Sequence, residues 1–131
     1  VAYANEAKSA LLGVSEVTLE KHGAVSEPVA RAMAESARER FGADIGVATT
    51  GISGPGGGSA EKPVGLVYVA LATDAETSVE SFVFPLDRPR HRALTAQLAL
   101  DWIRRSLLGL ELAGPTLLRR GGGSTPGRSS E

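Results

Sequence analysis

Apolar positions along the chain switch between a helical and a strand-like period, and the switches mark the elements. Val1-Ala2-Tyr3 reads as the end of a strand, with no turn or cap before it. Asn5 is placed to cap a short helix running to Leu12 and closed by Gly13. Ser15 is placed to cap a second, from Glu16 to Lys21, followed by Gly23. Ser26 then precedes Glu27 and Pro28, an acid and a proline that suit a first helical turn, and reads as the cap of a third helix. Val29, Met33, Ala37 and Phe41 recur every four residues as an apolar stripe, and Gly42 ends it. Residues 43–50, with Ile45, Val47 and Ala48, suit a buried strand. Residues 51–58, GISGPGGG, hold five glycines in eight positions and must be a loop. Residues 64–73, VGLVYVALAT, form the near-continuous apolar run of a central strand covered on both faces. Residues 79–84, VESFVF, alternate as the next strand, across a turn at Asp74–Glu76. Asp87 caps a last helix with Pro89 in its first turn and a stripe of Leu94, Leu98, Trp102 or Ile103, and Leu107. Helices, then strands, then a helix predict an α/β sandwich with a mixed sheet.

Composition narrows this picture. A length of 131 residues suits one domain, and 42% hydrophobic residues supply a core. From residue 113 the chain turns to Gly, Pro, Ser and Arg, so the folded domain is expected over 1–112 and a flexible tail over 113–131. Fourteen Lys and Arg against fifteen Asp and Glu leave a net charge of −1, which argues against a nucleic-acid partner. The apolar runs are shorter than the ~18 residues of a spanning helix, and no basic-then-apolar leader precedes them. No membrane is expected, and a soluble, cytoplasmic protein is. With no Cys there is no disulfide framework and no thiolate nucleophile. His22 and His91 are far apart in sequence, so no metal site and no cofactor is expected. The chain opens on Val1 and its only Met is Met33, which reads as an alternative initiator, a trimmed chain or a fragment.

Three places carry candidate chemistry. The glycine loop follows a buried strand, and glycines let backbone N–H groups face an anion; an ordinary connecting loop explains the same residues. Gly54 to Lys62 is not a P-loop, because Pro63 stands where Ser or Thr belongs. Gly54 to Ser59 lacks the last glycine of a dinucleotide fingerprint, and a strand follows it. Tyr3, Asn5 and Lys8 lie where a strand end runs into a helix start, a usual place for reactive groups. Lys8 reads there either as a buried base or as a solvated helix residue. Arg88, Arg90 and Arg92 crowd the start of the last helix, where Arg suits phosphate; Arg88 and Arg92 share a face and Arg90 reads as solvated. No GxSxG surrounds a serine; Ser53 in GISGP comes nearest but lacks the strand–elbow–helix context.

Six segments in order go further: VAYANEAK (1–8), LLGV (11–14), HGAVSE (22–27), TGISGPGGG (50–58), EKPVG (61–65) and DRPRHR (87–92). Together they resemble the C-terminal domain of the competence/damage-inducible protein CinA, a domain that also exists alone as nicotinamide-nucleotide amidohydrolase. The resemblance covers about residues 1–110. It implies a three-layer α/β/α sandwich and hydrolysis of the carboxamide of nicotinamide mononucleotide, giving nicotinate mononucleotide and ammonia without a metal. It implies a serine nucleophile served by lysine and tyrosine, a variant of triad logic. By position Lys8 matches the catalytic lysine and Tyr3 the tyrosine near it. Asn5, Thr50, Gly51, Gly54 and Gly56 fall on segments expected to contact substrate. Arg88, with Arg92, matches the expected phosphate contact. Relatives of this kind suggest a homo-oligomer.

The departures matter. The family's nucleophile lies in Glu-Ser-x-Thr-Gly-Gly upstream of the opening strand, and the 131 residues contain no such run. The first helix and strand of the fold are therefore expected to be missing, leaving an exposed sheet edge and an impaired enzyme. Ala4 and Ser53 stand where relatives often have Ser and Ala. A non-catalytic nucleotide-binding or assembly domain is the alternative, and a generic phosphate-binding domain a third reading.

Overall fold

The computed structural model describes residues 4–114, apart from the side chains of residues 9–12. The order is α1 (Asn5–Leu12), α2 (Glu16–His22), α3 (Glu27–Arg40), β1 (Gly46–Gly51), β2 (Leu66–Ala72), β3 (Thr77–Val83) and α4 (Arg88–Leu108). This is a mixed α/β fold whose three-stranded sheet has the order β1-β2-β3. The strands run antiparallel: Ile52 N–H donates to Leu66 O at 2.8 Å, and Thr73 N–H to Glu76 O at 2.9 Å across the β2–β3 turn. The mixed sheet expected from the sequence is thus an antiparallel meander over the described residues. The strand end expected at residues 1–3 lies outside them, as do residues 115–131 of the expected tail.

The described residues divide into two compact units, residues 4–51 with 68–80 and residues 52–67 with 81–114. In the first, α3 lies against the sheet through single methyl groups. Ala30 and Ala34 pack with Ala70 and Ala72, and with Ala48, Tyr68 and Val79 at the margin. Ala70 and Ala72 share one face of β2 by strand period, while Val69 and Leu71 on the opposite face are also buried. A strand buried on both faces is what the apolar run at 64–73 demands. Gly46 lets the backbones meet: a Cβ there would strike the Ala34 carbonyl and lie 2.9 Å from Arg38 N. A second cluster joins Val14, Leu19, Val29 and Met33. Arg31 bonds Glu27 at 2.6 Å and donates to Thr77 O at 3.2 Å, tying α3 to β3.

In the second unit, His91, Thr95, Leu98 and Trp102 form the buried stripe of α4. Their steps of four, three and four keep one helical face. Phe82 and Phe84, both fully buried, stack with centroids 5.7 Å apart. Packing continues to Gly114, where a Cβ would lie 2.6 Å from the Phe82 ring.

Caps follow the sequence in part. The Ser15 hydroxyl accepts from Thr18 N–H at 3.0 Å, and the Asp87 carboxylate from Arg90 N–H at 3.0 Å. Asn5 is the first helical residue rather than the cap, since Ala4 O receives the N–H groups of Ala7 and Lys8. Ser26 holds the N-cap position, but its hydroxyl turns back to donate to Gly23 O at 2.8 Å, pinning the α2–α3 link instead. Two expected core residues are exposed. Phe41 sits at the C-cap of α3, where the helical register has ended, and is 79% exposed. Leu107 is 72% exposed. Nine residues beyond Leu98, it lies roughly 180° around the helix, on the opposite face.

Candidate active site

The expected site residues fall in both units. In the first, Lys8 stands in the second turn of α1. Its N–H donates to Ala4 O, and its carbonyl accepts from Val14 N–H at 3.1 Å, which folds the chain after Gly13 back onto the helix. The side chain is only 5% exposed, and burial lowers its pKa from the ordinary 10.5. Desolvation disfavours the ammonium, so the helix holds an amine biased towards its neutral, proton-accepting form. Asn5 is exposed one turn earlier. Tyr3 lies outside the described residues.

Thr50 is buried near the end of β1, and its hydroxyl donates to Ala24 O at 2.9 Å. That commits its only proton and leaves oxygen lone pairs for a ligand. Gly51, next along, is exposed.

The second unit holds the glycine loop and the start of α4. Residues 54–58 carry a cis Gly54–Pro55 peptide, and 55–58 are exposed. Gly54, Gly56, Gly57 and Gly58 donate no N–H to another described group. Side-chain volume is excluded at two of them: a Cβ on Gly54 or Gly58 would run into Val64. Gly56 faces open space. The loop closes on β2 at Gly65, with φ +99°, where a Cβ would lie 2.7 Å from Phe84 O. Only glycine suits that backbone and that approach.

The first turn of α4 grips this loop. Arg88 Nη1 donates to Gly54 O at 3.3 Å. His91 is 2% exposed and bridges two points of the loop, with Nδ1 2.8 Å from Ser53 Oγ and Nε2 3.0 Å from Gly65 O. The Phe84 ring lies 5.9 Å from it at 57°. Arg92 is exposed and makes no hydrogen bond or ion pair among the described residues, so of the two arginines only Arg88 is joined to the loop. Arg90 is a solvated residue, 3.7 Å from Asp87. Nothing in the residue pattern joins His91 to Ser53, which lie 38 residues apart. The faint signal was an apolar-stripe position occupied by histidine, four residues before Thr95.

Among the described residues no cluster of His, Asp and Glu is suited to a metal ion. No helix of the described residues is long and apolar enough to cross a membrane.

A family model described as the CinA C-terminal domain matches residues 1–107. A CinA-like protein of Gloeobacter violaceus is 53% identical over 116 residues, 87% of this chain and 27% of the relative. A CinA-like protein of Geobacter sulfurreducens is 56% identical over 108 residues, 82% of this chain and 26% of the relative. The chain thus spans about a quarter of the length of these curated relatives. The crystal structure of a competence/damage-inducible protein from Agrobacterium tumefaciens superposes with a TM-score of 0.75 at 42% identity, over 78% of this chain and 63% of that one.

Proposed function

The chain belongs to the CinA C-terminal domain family, and on that ground we propose that it serves hydrolysis of the carboxamide of nicotinamide mononucleotide, releasing nicotinate mononucleotide and ammonia. The observation that carries the reading is Lys8, a lysine 5% exposed whose pKa is lowered by burial. In its neutral form, which burial favours, the amine takes the proton of a serine hydroxyl as it attacks the amide carbon, and returns it to the departing ammonia. Tyr3, which matches the family's tyrosine by position, is assigned to the same catalytic group. Thr50 and Gly51, with Asn5, are assigned to contact with the substrate, and Thr50 serves as an acceptor because its proton is already held by Ala24 O.

The glycine loop and α4 are assigned to the phosphate. The free amides at Gly54 and Gly56 and the guanidinium of Arg88 supply donors of the kind anions select. Arg88→Ala is expected to raise KM for nicotinamide mononucleotide roughly tenfold with kcat within about twofold, since a phosphate contact far from the reacting bond binds ground and transition states alike. Arg92→Ala is expected to change KM less, and steady-state kinetics on the two variants checks the order. On the same reading residues 1–112 form the domain, and the protein assembles as a homo-oligomer.

The deciding experiment measures ammonia released from nicotinamide mononucleotide by a chain extended upstream through a Glu-Ser-x-Thr-Gly-Gly segment. Turnover that disappears in Lys8→Met supports the amidohydrolase. Tight binding of the nucleotide without ammonia release sinks it in favour of the non-catalytic nucleotide-binding domain.

A further inference from the structure

Ser53 and His91 take no part in the amide hydrolysis assigned above, yet they form a proton relay of their own. The Gly65 carbonyl can only accept, so the 3.0 Å contact places the ring proton on Nε2 of His91. With the single proton of that tautomer on Nε2, Nδ1 carries a lone pair. The 2.8 Å contact to it is therefore a bond in which the Ser53 hydroxyl donates. A serine proton held on an imidazole nitrogen, with the other nitrogen oriented by an acceptor, is the geometry of a serine nucleophile and its base. Burial of His91 and the tilted Phe84 ring fix the imidazole plane. The charged groups on the same helical turn are otherwise engaged. Asp87 accepts from Arg90 N–H, and Arg88 holds Gly54 O beside the serine. Ser53 itself is half-buried, at the mouth of a loop whose next amides, at Gly54, Gly56, Gly57 and Gly58, have no acceptor among the described residues.

We propose that Ser53 is an activated nucleophile with His91 as its base, forming a second site that accepts an acyl group from carboxylic esters. Ser53 Oγ bonds to the ester carbonyl carbon while its proton passes to His91 Nδ1. The carbon–oxygen bond to the alcohol breaks, and the alcohol leaves with that proton. Water then gives a proton to Nδ1, attacks the acyl-serine, and releases the acid with the Ser53 hydroxyl restored. The loop amides at Gly57 and Gly58, which the phosphate assignment does not use, are the donors for the oxyanion that forms at each attack.

An ethoxy fluorophosphonate tests this directly, since attack by Oγ forms a phosphorus–oxygen bond and expels fluoride. Ser59 is the internal control: it is exposed on the same loop, and its oxygen accepts only from Lys62 N–H. Peptide mass spectrometry of the chain is expected to show Ser53 labelled roughly 10²-fold faster than Ser59. In His91→Gln, whose amide can still donate to Gly65 O, the rate at Ser53 is expected to fall to that of Ser59. Equal labelling of the two serines in the unmodified chain, or undiminished labelling of Ser53 in His91→Gln, overturns the proposal. The probe contains no nucleotide, so this outcome and that of the ammonia measurement are independent.

Discussion

Lys8→Met, placed in a chain that releases ammonia from nicotinamide mononucleotide, is expected to lower kcat by about 10²–10⁴ while leaving KM within about threefold. That range is what a positioned base contributes to a proton transfer, and loss confined to kcat marks a group that acts in the transition state. Methionine keeps the apolar stem at a site only 5% exposed, so packing is preserved. The pH dependence separates a base from a merely structural lysine. Burial lowers the Lys8 pKa from 10.5, so activity of the unmodified chain rises with pH along a limb centred below that value, as the ammonium gives up its proton. The limb is absent in Lys8→Met. Stability moves the same way: between the folded pKa and 10.5 the unfolded chain binds more protons, so stability rises with pH across that window. The rise is lost with the amine. A kcat unchanged in Lys8→Met, measured by ammonia release across pH, would remove lysine from the chemistry.

Gly46→Ala is expected to be the most damaging single methyl in the first unit. The added Cβ would meet the carbonyl of Ala34 and lie 2.9 Å from both N and Cβ of Arg38. Two of these three atoms are backbone, so no rotamer change relieves the clash and α3 must move off β1. Overpacking of this kind costs about 3 kcal/mol at its upper end. For a domain of this size that lowers Tm by on the order of 10 °C. Gly56→Ala is the matched control, since nothing lies within 4 Å of its Cβ position. It is expected to change stability by no more than about 0.5 kcal/mol. Equal melting temperatures for the two variants, read by calorimetry, would mean that α3 and β1 do not approach as closely as described.

Local chemistry made most of the fold legible in the sequence. Ser15 and Asp87 cap because a short side-chain acceptor sits just before a helical run, and that information lies within four residues. The run VGLVYVALAT announced β2 because a strand covered on both faces has no polar side. The same reasoning went astray where a helix's own end or rotation, or the rotamer of a capping side chain, decides the outcome. Phe41 continued a four-residue rhythm that its own helix no longer follows. Leu107 was assigned to a face that nine residues of rotation carry away from Leu98. Ser26 holds the N-cap position as read, but its hydroxyl is turned back to Gly23 O and accepts from no helix N–H. For the candidate site, the glycine loop and Arg88 were visible as types in a pattern, and the bond from Arg88 to Gly54 O joins them. Arg92 followed from helical arithmetic alone, and arithmetic does not supply a partner. His91 was invisible because both its partners are set by the loop closing on β2, 26 and 38 residues away.

The alanine seam between α3 and the sheet has a further consequence. Ala30, Ala34, Ala70 and Ala72 have no side-chain torsion to lose, so ordering them carries no rotamer entropy penalty. Longer apolar residues would remove more area from water, but each would surrender torsional freedom and push the layers apart. The seam therefore gains its stability from the nearness of two main chains. Sequence drift there can proceed only by shrinking or by exchange among the smallest residues.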